Sequence, residues 1–133
     1  MAATRRVSPV AWAALFALLA LLFRVNVPGI GEVELGEHAP RKHGADALAA
    51  RDAAVTSGPW GVYDCPDKLY KVTHRPGGRD CLVLIVSKAG LREKTAFAAK
   101  RDYVQRMLER DGCVHLYRDT HPLLGDDYGR DND

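Results

Sequence analysis

Few of the features that betray a function are present in this sequence. It has only three cysteines, Cys65, Cys81 and Cys113, and no C-x-x-C, which excludes the common dithiol redox and zinc-ribbon motifs. The odd count leaves at least one thiol outside any bridge within the chain. Three small buried side chains are the plain expectation, and a Cys65–Cys81 bridge is the alternative in an oxidising compartment. There is no G-x-S-x-G, no phosphate-binding loop, no glycine-rich dinucleotide turn and no paired acidic motif. No internal repeat is visible. Charge of one sign is missing too. The chain is +2, and residues 1–27 carry Arg5, Arg6 and Arg24 with no acid, so residues 28–133 carry +2 minus 3, or −1. No broad cationic field exists to hold nucleic acid by phosphate neutralisation alone.

What is present begins with one apolar block. Val10 to Phe23 reads VAWAALFALLALLF without a charge, behind Arg5 and Arg6 and ahead of Arg24. Its 14 residues fall short of the ~17–25 of a typical spanning helix. They suit the apolar core of a signal peptide, but no A-x-A pattern precedes a cut. With Arg24 reaching back to the interface, Val7 to Val27 is long enough to span. We therefore expect a single-pass, uncleaved anchor over residues 7–27, with membrane lipid as its partner. A cleaved signal and a buried core helix are the alternatives. Flanking positive charges do not decide orientation, and a basic start puts the C-terminal domain outside by default.

The remainder divides into a linker at 28–37, one domain at 38–117 and an acidic tail at 118–133. Gly29, Gly31 and Gly36 alternate with Ile30, Val33 and Leu35 in the linker. An alanine-rich helix is expected from Ala39 to Val55, with Gly44 its weak point. Strand signals follow at Trp60–Tyr63, Leu69–His74, Cys81–Val86 and Leu91–Phe97. The apolar run Cys81–Val86 is expected to be the central strand. In Leu91–Phe97, Leu91, Glu93, Thr95 and Phe97 alternate with Arg92, Lys94 and Ala96. A second helix, Lys100–Arg110, carries Tyr103, Val104, Met107 and Leu108 as its apolar stripe and stops at Gly112. Cys113–Tyr117 reads as a short last strand. The fold class is thus α+β: a small antiparallel sheet of three to four strands, two helices on one face, behind one N-terminal membrane helix.

The most unusual local feature is His38-Ala39-Pro40-Arg41-Lys42-His43-Gly44. Cations at a helix start oppose the helix dipole, so stability alone would not choose this cluster there. His38, Arg41 and Lys42 share one helical side, whereas His38 and His43 are five apart and lack the i, i+4 spacing of a zinc helix. No metal or other cofactor is expected. Histidine as general acid or base, beside lysine or arginine stabilising a developing phosphorane charge, suits metal-independent RNA cleavage. The plain reading is a solvated basic cluster, or one that meets lipid headgroups near the anchor. Thr95, in Lys94-Thr95-Ala96-Phe97, is a candidate phosphate contact or an ordinary sheet residue.

The H-x-x-x-K-H-G segment and the Thr95-Ala96-Phe97 strand end loosely resemble small phage and toxin-associated domains. These belong to the barnase, EndoU, colicin and RelE-like group of metal-independent ribonucleases. The resemblance covers His38 to Phe97. It implies that His38 or His43 is the general acid or base, that Lys42 stabilises charge and that Thr95 contacts phosphate. Arg41 would help to bind the RNA substrate. The other class of function is a non-catalytic membrane or envelope-associated module whose helix faces a protein partner.

Overall fold

The computed structural model describes residues 23–116. The expected membrane anchor at 7–27, apart from its last residues 23–27, and the acidic tail lie outside the described residues. Among the described residues, no helix is long and apolar enough to cross a membrane.

Seven strands form one mixed sheet: β1 (Arg24–Val27), β2 (Gly31–Glu34), β3 (Val62–Asp64), β4 (Lys68–His74), β5 (Asp80–Ser87), β6 (Arg92–Lys100) and β7 (Val114–His115). Their spatial order is β1-β2-β6-β5-β4-β3-β7. Three helices accompany them: α1 (His38–His43), α2 (Ala45–Thr56) and α3 (Arg101–Arg110). The expectation of three or four antiparallel strands with two helices on one face is therefore wrong in count, pairing and layering.

The first difference arises at residues 24–34, read as the end of an anchor followed by a linker. Val25, Val27 and Val33 alternate with polar residues, and the turn at 28–30 folds them into a hairpin. Val27 and Val33 are fully buried. The hairpin joins the sheet through Glu34↔Arg92, a parallel pairing, which makes the sheet mixed. The second difference is at Gly44. Its φ of 56° with ψ of −128° is open to glycine and strained for other residues, so the expected single helix breaks into α1 and α2.

The helices cover both faces. On one, α2 lays Ala47, Ala50 and Ala54 against Leu82, Leu84, Val86 and Ala96, with Val27, Val33 and Ala39 completing the layer. Alanine lets this helix sit close to the sheet. On the other, Val104 and Leu108 of α3 cover Tyr63, Tyr70, Val72, Val83 and Ile85. Tyr103, expected in that stripe, is exposed. Gly112, with φ of 68°, ends α3 as expected.

The cysteines pair as Cys65–Cys113, and Cys81 is free and buried. The bridge ties the β3–β4 turn to the entry of β7. A Cys65–Cys81 bridge is ruled out by register. Lys68 pairs with Ser87 and His74 with Cys81, so the two cysteines sit at opposite ends of the β4–β5 ladder, about 20 Å apart.

β5 is the central strand, buried from Cys81 to Val86. Leu84 is 1% exposed and lies under the alanine face of α2. Leu84→Ala is expected to lose about 2–5 kcal/mol in a denaturant titration. A loss below about 1 kcal/mol would show that the layer does not rest on β5.

Candidate functional site

The basic segment is positioned by the edge of β6. β2 touches β6 at Glu34↔Arg92 and then leaves the sheet, and α1 packs against the strand beyond that point. Its seating depends on a β-bulge. Ile85 pairs with Thr95 but Val86 pairs with Glu93, so Lys94 is an extra residue and Glu93 and Thr95 face opposite sides of the sheet. Glu93 turns toward α2. Its side chain is 1% exposed and takes both arms of the Arg51 guanidinium, Nε at 2.7 Å on Oε2 and Nη2 on Oε1. The backbone N–H of Gly36 donates to Glu93 Oε1 at 3.1 Å, and Arg51 Nη2 also donates to Gly36 O at 2.5 Å. Gly36 stands two residues before α1, so this knot fixes where the helix starts.

The five predicted site residues are placed as follows. His38, Arg41 and Lys42 are exposed on α1. Arg41 reaches back to Glu37 at 3.2 Å, in a pair whose side chains are 76% and 88% exposed. His43 is half-buried, its ring 5.7 Å from that of Phe97 and tilted by 44°. Thr95 lies on the α3 face, and its Oγ1 is buried without a hydrogen-bond partner. The fold thus brings His43 to the side chain two residues along from Thr95. His38, Arg41 and Lys42 share α1 with His43 but are exposed, whereas the Thr95 hydroxyl is buried.

One premise of the sequence reading is reversed. Because Gly44 ends α1 after six residues, Arg41, Lys42 and His43 occupy its last turn. Cations there complement the helix dipole rather than oppose it. The cluster needs no catalytic role to explain its presence.

Two polar groups escaped notice in the sequence. Lys71 is 1% exposed, and its Nζ donates to Pro28 O at 2.6 Å and to Gly58 O at 2.5 Å. Burial pulls its pKa down to about 8. The side chain pins the hairpin turn and the loop after α2 to β4. Gly29 makes this approach possible: a Cβ there would stand 2.7 Å from Val62 Cγ2 and 2.8 Å from Pro59 O. The sequence only alternates Lys71 with Tyr70 and Val72, and its burial follows from the covering of both faces of β4. The second group is Asp111, which accepts from Tyr70 Oη at 2.5 Å, Lys68 Nζ at 3.4 Å and Arg110 Nε at 3.1 Å. The Arg110 hydrogen bond foremost, then those of Tyr70 and the Lys68 charge, hold its carboxyl down at about 2. Nothing in the sequence pairs these residues.

Among the described residues, the cavities large enough for small ligands include the following two. One, about 680 Å³, is walled by Phe23, Glu34, Leu35, Pro40, Arg41 and Arg51. The other, about 340 Å³, lies between α2 and the β4–β5 turn, where Thr73 and Arg75 line it. Neither is lined by His38, Lys42, His43 or Thr95. Among the described residues no group of three or more His, Cys, Asp or Glu side chains is arranged to hold a metal ion. In comparisons with family models, with curated proteins and with solved structures, the chain matches none.

Lys71 gives the fold a pH signature. Its folded pKa, about 8, lies below its ordinary 10.5. Between those values the unfolded chain binds a proton that the folded chain does not, so stability rises with pH across that window. The buried Cys81 thiol, pushed up to about 11 from 9, works in the opposite sense above pH 9. Comparison with Lys71→Met cancels the thiol. The wild-type-minus-variant unfolding free energy is expected to rise between pH 7.5 and 10, by roughly 3 kcal/mol at most. A difference that stays flat would mean that Lys71 is not buried as a cation.

Proposed function

We propose that this chain is a non-catalytic binding module, tethered to a membrane by its N-terminal apolar run and displayed outside the cytoplasm. The observation that carries this reading is the exposure of His38, Arg41 and Lys42 on α1, while the Thr95 hydroxyl is buried and neither described cavity is lined by both α1 and Thr95. General acid–base chemistry needs its groups within hydrogen-bond reach of one reacting centre. A basic helical turn presented to solvent suits a partner's surface instead. Two further features support the setting. The Cys65–Cys113 bridge is of a kind that persists in oxidising compartments. The charge-free run Val10–Phe23 leads directly into β1 at Arg24.

One observation favours the ribonuclease-like reading as a second choice. His43 rests on Phe97, beside an unpartnered Thr95 hydroxyl. In that account His43 is the acid or base, Thr95 meets the phosphate, and Lys42 and His38 swing in from exposed positions.

The two are separated by incubating the full chain, in detergent micelles, with single-stranded RNA. The binding-module reading expects intact RNA. Cleavage that His43→Ala abolishes while the Cys65–Cys113 bridge is retained would reverse the choice. Protease added to intact cells is expected to digest the domain, and full protection would contradict its placement outside.

A further inference from the structure

The groove beside α1 opens where the apolar run enters the fold. The N–H of Leu35 donates to Phe23 O at 2.7 Å, so the hairpin ladder runs one pair beyond Arg24↔Glu34. Alternation then puts Phe23 and Leu35 on the face of Val25 and Val33. The apolar layer under α2 therefore continues past Val33 into an open end. Its walls are Phe23, Leu35 and Pro40, and Phe23 is 57% exposed.

The charges around this opening are unequally committed. Arg51 is held by Glu93 inside the fold. Glu34 has Arg92 at 3.7 Å. Arg41 has only Glu37, in an exposed pair of the kind that contributes little and exchanges readily. Arg24 follows Phe23 in the chain and Lys42 follows Arg41, and both are exposed. The groove's own lining is balanced, Arg41 and Arg51 against Glu34 and Glu37; with the neighbouring Arg24, Lys42, Arg92, Glu32 and Glu93 included, five cations stand against four carboxylates, an excess of one. Of the cations, Arg41 borders the apolar floor in a weak pair, and Arg24 and Lys42 stand next to groove residues in the chain with no ion pair among the described residues.

We infer that this groove and the basic turn beside it form a membrane-docking face, seated on the headgroup layer of an anionic bilayer. The inference rests on the tethered reading above. If Val10 to Leu22 inserts, it delivers Phe23 to the interface, where its apolar ring buries at the acyl boundary. The same bilayer then lies against Leu35 and Pro40, which bury apolar surface at the acyl boundary. Arg24, Arg41 and Lys42 reach lipid phosphates, which accept from guanidinium and ammonium donors. Because the apolar segment and the groove share Phe23, docking is an event within one molecule, with the high effective concentration that a short connection gives.

The test uses the full, isotope-labelled chain in bicelles of phosphatidylglycerol or of phosphatidylcholine. Each carries a lipid with a nitroxide near the top of its acyl chain. Backbone amide signals of Leu35, Gly36 and Arg41 are expected to broaden in phosphatidylglycerol and far less in phosphatidylcholine. Gly112 and His115 serve as controls at the far edge of the seven-stranded sheet, about 30 Å away. Arg41→Glu and Lys42→Glu, both at exposed positions, are each expected to lower the docked-to-undocked ratio at least about fivefold. A chain that enters both bicelles yet leaves these amides sharp would overturn the docking face while the tether stands. Equal broadening in both lipids, or broadening untouched by the charge reversals, would overturn the anionic recognition. A chain that does not enter bicelles at all would take down the tethered reading, and this inference with it.

Discussion

A carboxylate buried without access to water must be fully satisfied, and Glu93 is that carboxylate here. Its 1% exposed side chain meets a guanidinium edge-on and a backbone N–H, so both oxygens are occupied. Removing one partner of such a pair leaves an uncompensated charge and is costly, although the intact pair adds little net stability. Its contribution is to position. Arg51 belongs to α2, Gly36 to the segment between β2 and α1, and Glu93 to β6. One ion pair thus sets three elements relative to one another. It fixes the start of α1, and with it the basic turn that dominates the outer surface on that side.

The same logic recurs at Lys71. A buried ammonium with two carbonyl partners and no carboxylate is a weak source of stability, as its lowered pKa shows. It holds the β1–β2 hairpin against the loop after α2, through groups that no apolar contact could orient. Glu93 grips the end of that hairpin, and Lys71 grips its turn. Between them they make residues 24–34 part of the domain. In the chain, the apolar run Val10–Phe23 is therefore followed at once by a strand of the folded domain. The groove, the basic turn and the chain entry consequently lie together.

Much of the sheet was legible in the sequence because burial on both faces writes a continuous apolar run. β5 is the clearest case, and β4, α3 and the alanine stripe of α2 follow from ordinary periodicity. The failures share a different origin. One inserted residue at Lys94 reverses the face of Glu93 relative to Thr95, and simple alternation, which put Leu91, Glu93, Thr95 and Phe97 together, has no means to see it. One glycine conformation turned a helix start into a helix end and so inverted the meaning of Arg41, Lys42 and His43. Glycines near the hairpin read as a linker because the valines that bury it are few and short-spaced. Lys71 alternates with Tyr70 and Val72 in β4, and nothing local says that loops will close over its face. Of the candidate residues, His38, Arg41, Lys42 and His43 share α1 as their spacing in the sequence suggests, and the face that Thr95 takes was visible only once the bulge was known.

If Glu93 seats α1, its loss should loosen that helix before it loosens the sheet. Amide hydrogen exchange on Glu93→Gln reads this residue by residue. Gly36, Arg41 and Gly44 are predicted to lose most of their protection, while the β4–β5 ladder from Leu82 to Val86 keeps its own. Undiminished protection at Gly36 and Arg41, or a uniform loss across the sheet, would contradict the role assigned to the buried pair.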